Sequence, residues 1–455
     1  MKSEIDMTSG NLFKKMLMFS IPLALTSMLQ LLYNAADLIV CGSFGSSHSV
    51  AAISGTGSLI NLIINLFMGL SVGANVLIAR SFGVKDKEKA QRIMYTSLIF
   101  SVVFGILVGA FGAIFSKYFL EWMKTPEDVI DLSTDYLRIY FYGLPFLMIY
   151  NFGAAILRGL GDTKRPFISL VIAGVINVLM NLLFVIAFKM DVEGVALATI
   201  ISEAISALLI FIILYKNKGF LNFKFKELRF YKKEAIEIAK IGIPSGLQGV
   251  VFSLSNVLIQ SSVNSLGTLV MDGNGASASL EGFIYVALNS VSQACVAFVS
   301  ANYGAMKKEN IKKTIIYSYI IVIIMNIIVG GLILGLQNQL IPLYIKDPNA
   351  ISAAKERLMV IGITYFLCGF MDIMSSAVRG IGYSVTPMII TLIGACGLRI
   401  VWIYTLFQIP QMHNLFWLAG SYPISWLITT LAYIVVFTIL FRRINFIENE
   451  KVQLA

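Results

Sequence analysis

Long apolar runs recur along this chain, near residues 15–41, 50–79, 93–116, 134–157, 166–188, 192–216, 238–263, 275–301, 313–337, 355–378, 387–408 and 416–441. Each is long enough to cross a hydrocarbon core of about 30 Å, which takes about 20 helical residues. A backbone in lipid must satisfy its own hydrogen bonds, so continuous apolar runs become helices. A membrane β-barrel would show alternation instead. Composition agrees: 57% of the 455 residues are hydrophobic and only 13% charged, with mean hydropathy +0.81. Soluble domains carry about 25% charged residues. The sequence therefore predicts an all-α integral membrane protein with twelve transmembrane helices.

The net charge of +10 invites a nucleic-acid reading, but the positions of the charges argue against it. The basic residues sit in short segments between the apolar runs. With the N-terminus inside, 27 of the 35 Lys and Arg fall on the inner side, seven on the outer side and one, Arg399, within a span. That bias predicts both termini in the cytoplasm of a multi-pass plasma (cytoplasmic) membrane protein. Lys14 and Lys15 precede an apolar stretch longer than a signal-peptide core, so the first run is expected to remain as a span. The basic segment KNKGFLNFKFKELRFYKKE reads as a solvated linker with an amphipathic piece on anionic lipid.

Cys41, Cys295, Cys368 and Cys396 form no CxxC pair and read as buried thiols. His48 and His413 are too far apart for a zinc site. No metal site, cofactor or catalytic residue is expected. GTGSLIN at 55–61 lacks the Gly-Lys-Ser/Thr ending of a nucleotide loop. The energy source is then expected to be an ion gradient.

The two halves match. Pro22 recurs as Pro244, SFG at 43–45 as SLG at 265–267, and Pro126 as Pro348, each 222 residues on. RGLGDTKRP at 158–166 recurs as RGIGYSVTP at 379–387, 221 residues on. This divides the chain into an N-terminal lobe (1–216), a basic linker (217–237), a C-terminal lobe (238–441) and a tail (442–455). Six spans per half make the repeats parallel, a geometry in which two bundles can rock about a central site.

Buried polar residues break the repeat. Gln30, Tyr33, Asn34 and Asp37 share one helix face at i, i+3, i+4 and i+7. Asn177 and Asn181 are one turn apart, as are Thr199 and Glu203. A carboxylate at mid-membrane costs about 2.5–3.5 kcal/mol on insertion scales. Asp37 must face the bundle interior, take up a proton or hold a cation. Oxygen ligands from Asp, Asn and Thr suit a hard cation; a plain helix–helix hydrogen-bond cluster is the other reading. Asp372 and Arg399 form a second-lobe polar site, with a mutual ion pair as one reading. Asn256 and Gln260 belong to a polar stripe on span 7, and Asn289 to another on span 8. Glu281, near the outer end of span 8, reads as hydrated.

The opening PLALTSMLQLLYNAADLIVCG, the loop ARSFGVKDKEKA, RGLGDTKRP, GVALATIISE and MDIMSSAVRGIGYS together resemble the multidrug and toxic compound extrusion (MATE) transporters, across essentially the whole chain. The resemblance implies two six-helix lobes forming a V around a central cavity, which export amphipathic, often cationic, compounds against inward Na+ or H+. It implies a first-lobe cation or proton site at Asp37, Asn177 and Thr199, with Asn181 where an Asp is common. It implies a bend of span 1 at Pro22. Gln30, Tyr33, Asn34, Glu203, Asn256, Gln260 and Asn289 are candidates for the substrate cavity. Small molecules and lipid are the expected partners; the sequence sets no oligomeric state and is compatible with a monomer. The alternative function is a flippase or exporter of a lipid-linked intermediate in the same superfamily.

Overall fold

The structure, a computed structural model, describes residues 4–46, 48–217 and 219–444. Most of the tail expected at 442–455 lies outside these residues, as do Lys2, Lys218 and Lys451, three of the charges sorted by side. Among the described residues, twelve helices are long and apolar enough to cross a membrane. They are α1 (Leu12–Phe44), α2 (Ser49–Val84), α3 (Lys87–Trp122), α4 (Glu127–Gly159), α5 (Lys164–Ala187), α6 (Val192–Lys216), α7 (Lys232–Asn264), α8 (Thr268–Gly304), α9 (Lys308–Gly335), α10 (Pro348–Gly380), α11 (Val385–Gln408) and α12 (Leu415–Arg442). No strand occurs among the described residues.

Local chemistry sets the ends. Lys85 takes a left-handed conformation (φ 61°) to close α2, and the Asp86 side chain then accepts from the Lys89 amide at 2.9 Å to open α3. Asp347 accepts from Asn349 and Ala350 to start α10, with Pro348 at the first helical position. Asn414 accepts from the Trp417 amide to start α12. Each such cap satisfies an otherwise unpaired amide. Three helices contain a wider π-helical turn: Leu183–Ala187 in α5, Asn326–Gly330 in α9 and Leu392–Gly397 in α11.

The chain forms two compact units. The first comprises Met1–Ile5 and Leu25–Gly242, the second Asp6–Ala24 and Ile243–Ala455. The borders fall inside helices rather than at the linker. α1 is continuous through Pro22 and changes unit after Ala24; α7 is continuous through Pro244 and changes unit after Gly242. Both borders lie within two residues of the repeated prolines, where a helix lacks one backbone hydrogen bond.

In the first unit α4 packs against α2, α3 and α6. The start of α7 joins it through Gly242, whose missing Cβ lets its backbone sit on Leu70 of α2. In the second unit α10 packs against α8, α9 and α12, and the first turns of α1 dock there. Phe19 meets Phe298 edge-on at 5.6 Å, and Asn302 donates to the Met7 carbonyl at 2.8 Å.

The linker, expected to be solvated and lipid-facing, is docked in its first part and exposed in the rest, where Phe225, Leu228 and Phe230 stay exposed. Leu221 and Phe223 are buried, and Phe223 packs edge-on to Tyr95 and Phe211 at 5.6 and 5.4 Å. Gln91 donates to the Asn222 carbonyl at 2.7 Å. Alternate apolar residues dock on α3 and α6, which offsets the cost of ordering the chain.

Candidate functional site

Asp37 lies on the part of α1 within the first unit and is 9% exposed. Asn181 Nδ2 of α5 donates to Asp37 Oδ1 at 2.5 Å and also stands 3.2 Å from Asn177 Oδ1. Thr199 Oγ1 of α6, 3.0 Å from the Val195 carbonyl, is within reach of the same carboxylate. Three helices thus bring together the four residues read from sequence as a cation or proton site.

The register between α1 and α6 is held by a clasp at their adjoining ends. Asp191, just before α6, accepts from the Ser46 amide at 3.4 Å and from the Ser49 hydroxyl. Burial pushes the Asp191 carboxyl upward, but hydrogen bonds from the side chains of Ser46 and Ser49 and from two backbone amides outweigh it, leaving the value below the ordinary aspartate range. Thr199 is seven residues from the start of α6 at Val192, and Asp37 is seven from the end of α1 at Phe44. At 1.5 Å per residue both groups stand about 11 Å along their helices from the ends that the clasp joins, so the clasp sets them at a similar depth.

The donor set is all oxygen and amide. Asn181 Oδ1 is buried with no hydrogen-bond partner among the described residues. None of the salt bridges among those residues involves Asp37. A buried acceptor beside an unpaired carboxylate favours a proton or a hard cation such as Na+ as visiting cargo.

Of the cavity candidates in this unit, Tyr33 lies against α5: a Cβ on Gly174 would fall on its ring. Glu203 lies against Gly143 of α4, close enough to Asp37 for their charges to interact, with Tyr136 and Tyr140 beside both. Gln30 and Asn34 are exposed.

The second unit departs from expectation. Asp372 and Arg399 form no ion pair. Asp372 faces Asn289 and the charge of Arg379, whereas Arg399 Nε donates to Ser425 at 2.9 Å. Glu281 is not hydrated but 4% exposed, held by Arg357 through two bonds of 2.9 and 2.8 Å. Arg357 also donates to Asn274 at 2.8 Å, and Asn274 to Gln260 at 3.1 Å. Gln260 therefore caps a buried ion-pair network from its exposed edge. Asn289 accepts from Gln293 at 3.0 Å, and Asn256 is exposed. A signal for the Arg357–Glu281 pair existed: Glu281 and Ser277 are one turn apart on α8, with Asn274 one turn before, a polar stripe opposite the only basic residues of the early part of α10.

Comparison with known proteins matches the MatE family model to residues 22–183 and 244–405, one copy per half. The probable multidrug resistance protein YoeA of Bacillus subtilis is 27% identical over 401 residues, covering 86% of this chain and 86% of the relative. The multidrug export protein MepA of Staphylococcus haemolyticus is 24% identical over 380 residues, 84% of this chain and 81% of its own length. Among solved structures, an outward-facing multidrug resistance MATE family transporter superposes with a TM-score of 0.89 at 22% identity, over 95% of this chain and 96% of that one. At that identity the likeness speaks for the fold alone.

Proposed function

This chain belongs to the MATE family, a transporter family rather than an enzyme family, and on that premise we propose that it is a secondary active antiporter. It exports amphipathic small molecules in exchange for inward H+ or Na+, with alternating access of the two halves. Its relatives are named for multidrug export and resistance, which supports the substrate class. Asp37 is the coupling group, and the observation that carries this is the 2.5 Å bond from Asn181 onto a buried carboxylate that no cationic side chain pairs with among the described residues.

The chemistry follows from charge. The carboxylate inside the bundle is costly while ionised and unpaired. A proton neutralises it; Na+ pairs with it and takes oxygen ligands from Asn177, Asn181 and Thr199. Either event changes the local charge by one unit and can bias a two-state helix arrangement. Glu203 and Tyr33 flank the same site and contribute to its substrate-facing wall. Pro22, fifteen residues before Asp37, gives α1 a place to bend. Asp372 with Asn289 forms a lesser acid site in the second half.

The test is efflux of a fluorescent cationic dye from proteoliposomes, with Na+ and H+ gradients imposed one at a time. Transport driven by one gradient and lost at least tenfold in Asp37→Asn supports the reading. Undiminished transport in that variant removes Asp37 from the coupling role.

A further inference from the structure

The second unit holds a cation that the antiport mechanism does not use. Arg399 of α11 is 0% exposed. Its Nε donates to Ser425, but Nη1 and Nη2 are both buried without an acceptor among the described residues. Three aromatic rings surround the guanidinium: Tyr422 at 4.2 Å, Phe252 at 5.3 Å and Trp426 at 5.6 Å from the ring centres. Trp426 adds another orphan donor, a buried indole N–H with no partner among the described residues. The side chains whose charges act on Arg399 are Tyr422, Cys368, Cys396 and Tyr365, and none is a carboxylic acid. Neither Glu281 nor Asp372 pairs with it: Arg357 occupies both oxygens of Glu281, and Asp372 faces Asn289 and Arg379.

A buried positive charge without a counter-charge is expensive, and a buried donor without a protein acceptor calls for another partner, a water or an ion among them. Cation–π contacts cover the faces of a guanidinium. They leave its Nη1–Nη2 edge, which presents two parallel donors at the spacing of a carboxylate's two oxygens. Tyr365 packs on Trp426 at 5.2 Å and Tyr285 on Tyr365 at 6.4 Å, and Tyr285 is 37% exposed. The aromatic rings thus form a continuous row from the buried guanidinium to the partly exposed Tyr285. We propose that Arg399, with Tyr422, Phe252 and Trp426, forms an anion-recognising subsite that takes the carboxylate of an aromatic amphiphile.

This goes beyond the antiport reading by adding carboxylate-bearing compounds to the substrates. It is tested on the purified full chain in detergent, without any gradient, by calorimetric titration with 2-naphthoate and its neutral isostere 2-naphthamide. Two charge-assisted bonds predict naphthoate binding about 10- to 100-fold tighter than naphthamide. Arg399→Gln brings the ratio near one, and Arg399→Lys, which keeps the charge but not the fork, leaves an intermediate ratio. A wild-type ratio near one overturns the proposal even where the glutamine variant fails to fold. So does a full ratio surviving in Arg399→Gln. Replacing chloride by gluconate supplies the last arm: if naphthoate tightens more than tenfold and chloride itself binds, the occupant is an inorganic anion and the carboxylate assignment falls. Because no gradient is applied, a failure here leaves the antiport reading standing, and lost transport in Asp37→Asn bears on that reading alone.

Discussion

Asn181 Nδ2 stands 2.5 Å from Asp37 Oδ1, and the same amide nitrogen is 3.2 Å from Asn177 Oδ1. One side chain therefore holds the orientation of the acid from a helix 144 residues away. A hydrogen bond to a charged group contributes about 1.5–3 kcal/mol. Asn181→Ala is expected to change the ion concentration or pH for half-maximal dye efflux by about 10- to 100-fold. Asn181→Asp, which adds a second carboxylate beside the first, should strengthen Na+ dependence. Efflux rates measured across Na+ concentration at fixed pH decide both.

The clasp at Asp191 makes a pH prediction. Its folded-state carboxyl lies below the ordinary aspartate range because Ser46 and Ser49 hydrogen bonds outweigh burial. The folded form therefore binds its proton less readily than the unfolded chain does. The stabilisation is present above the unfolded value near ~3.9 and fades as pH falls through the lower folded value. The melting temperature of wild type should exceed that of Asp191→Ala at neutral pH, with the gap narrowing below about pH 4. A constant gap would mean that the ionised clasp is not the source.

Tyr33 and Gly174 occupy one space. Gly174→Ala should push the Tyr33 ring off α5 and weaken dye transport several-fold, whereas Tyr33→Leu in the same chain should recover part of it. Efflux by the single and double variants gives the coupling directly. Additive losses would show that the ring does not rest on that glycine.

Glu281 and Arg357 form a buried pair, and removing one partner leaves a charge uncompensated, at a cost of about 3–5 kcal/mol. Glu281→Gln should lower thermal stability in detergent sharply. Joint replacement by Leu and Met should restore most of it, since apolar pairs of similar volume are often neutral. Fluorescence-detected gel filtration after heating reads the order of the three proteins.

Much of this was legible in the residues. Hydropathy alone identifies twelve spans, because lipid forces each apolar run to be a helix. The first-half site was legible because Asn177 and Asn181 precede the π-helical turn Leu183–Ala187; up to that point the ordinary 3.6-residue period assigns faces correctly. In α11 the order is reversed. The π-helical turn Leu392–Gly397 comes before Arg399, and each wider turn rotates the later residues of its helix by roughly 100°, one residue of a 3.6-residue turn. Charge complementarity suggested Asp372 as the partner of Arg399, but the rotated side chain meets Tyr422 and Ser425 instead. Arg357 was missed for another reason. Counted as an outer-side orientation charge, it had no assigned partner, and its pairing with Glu281 depends on the packing of α10 on α8.

The unit borders beside Pro22 and Pro244 carry one more consequence. The duplication is visible along the polypeptide, yet the packing did not keep the copies separate, since each compact body is completed by a short stub of helix from the other half's stretch of chain. A protease cut in the 217–237 connection would sever the covalent thread while leaving each fragment owing the other a stub of helical wall. Such fragments would be expected to survive together as partners and to fare poorly when made alone.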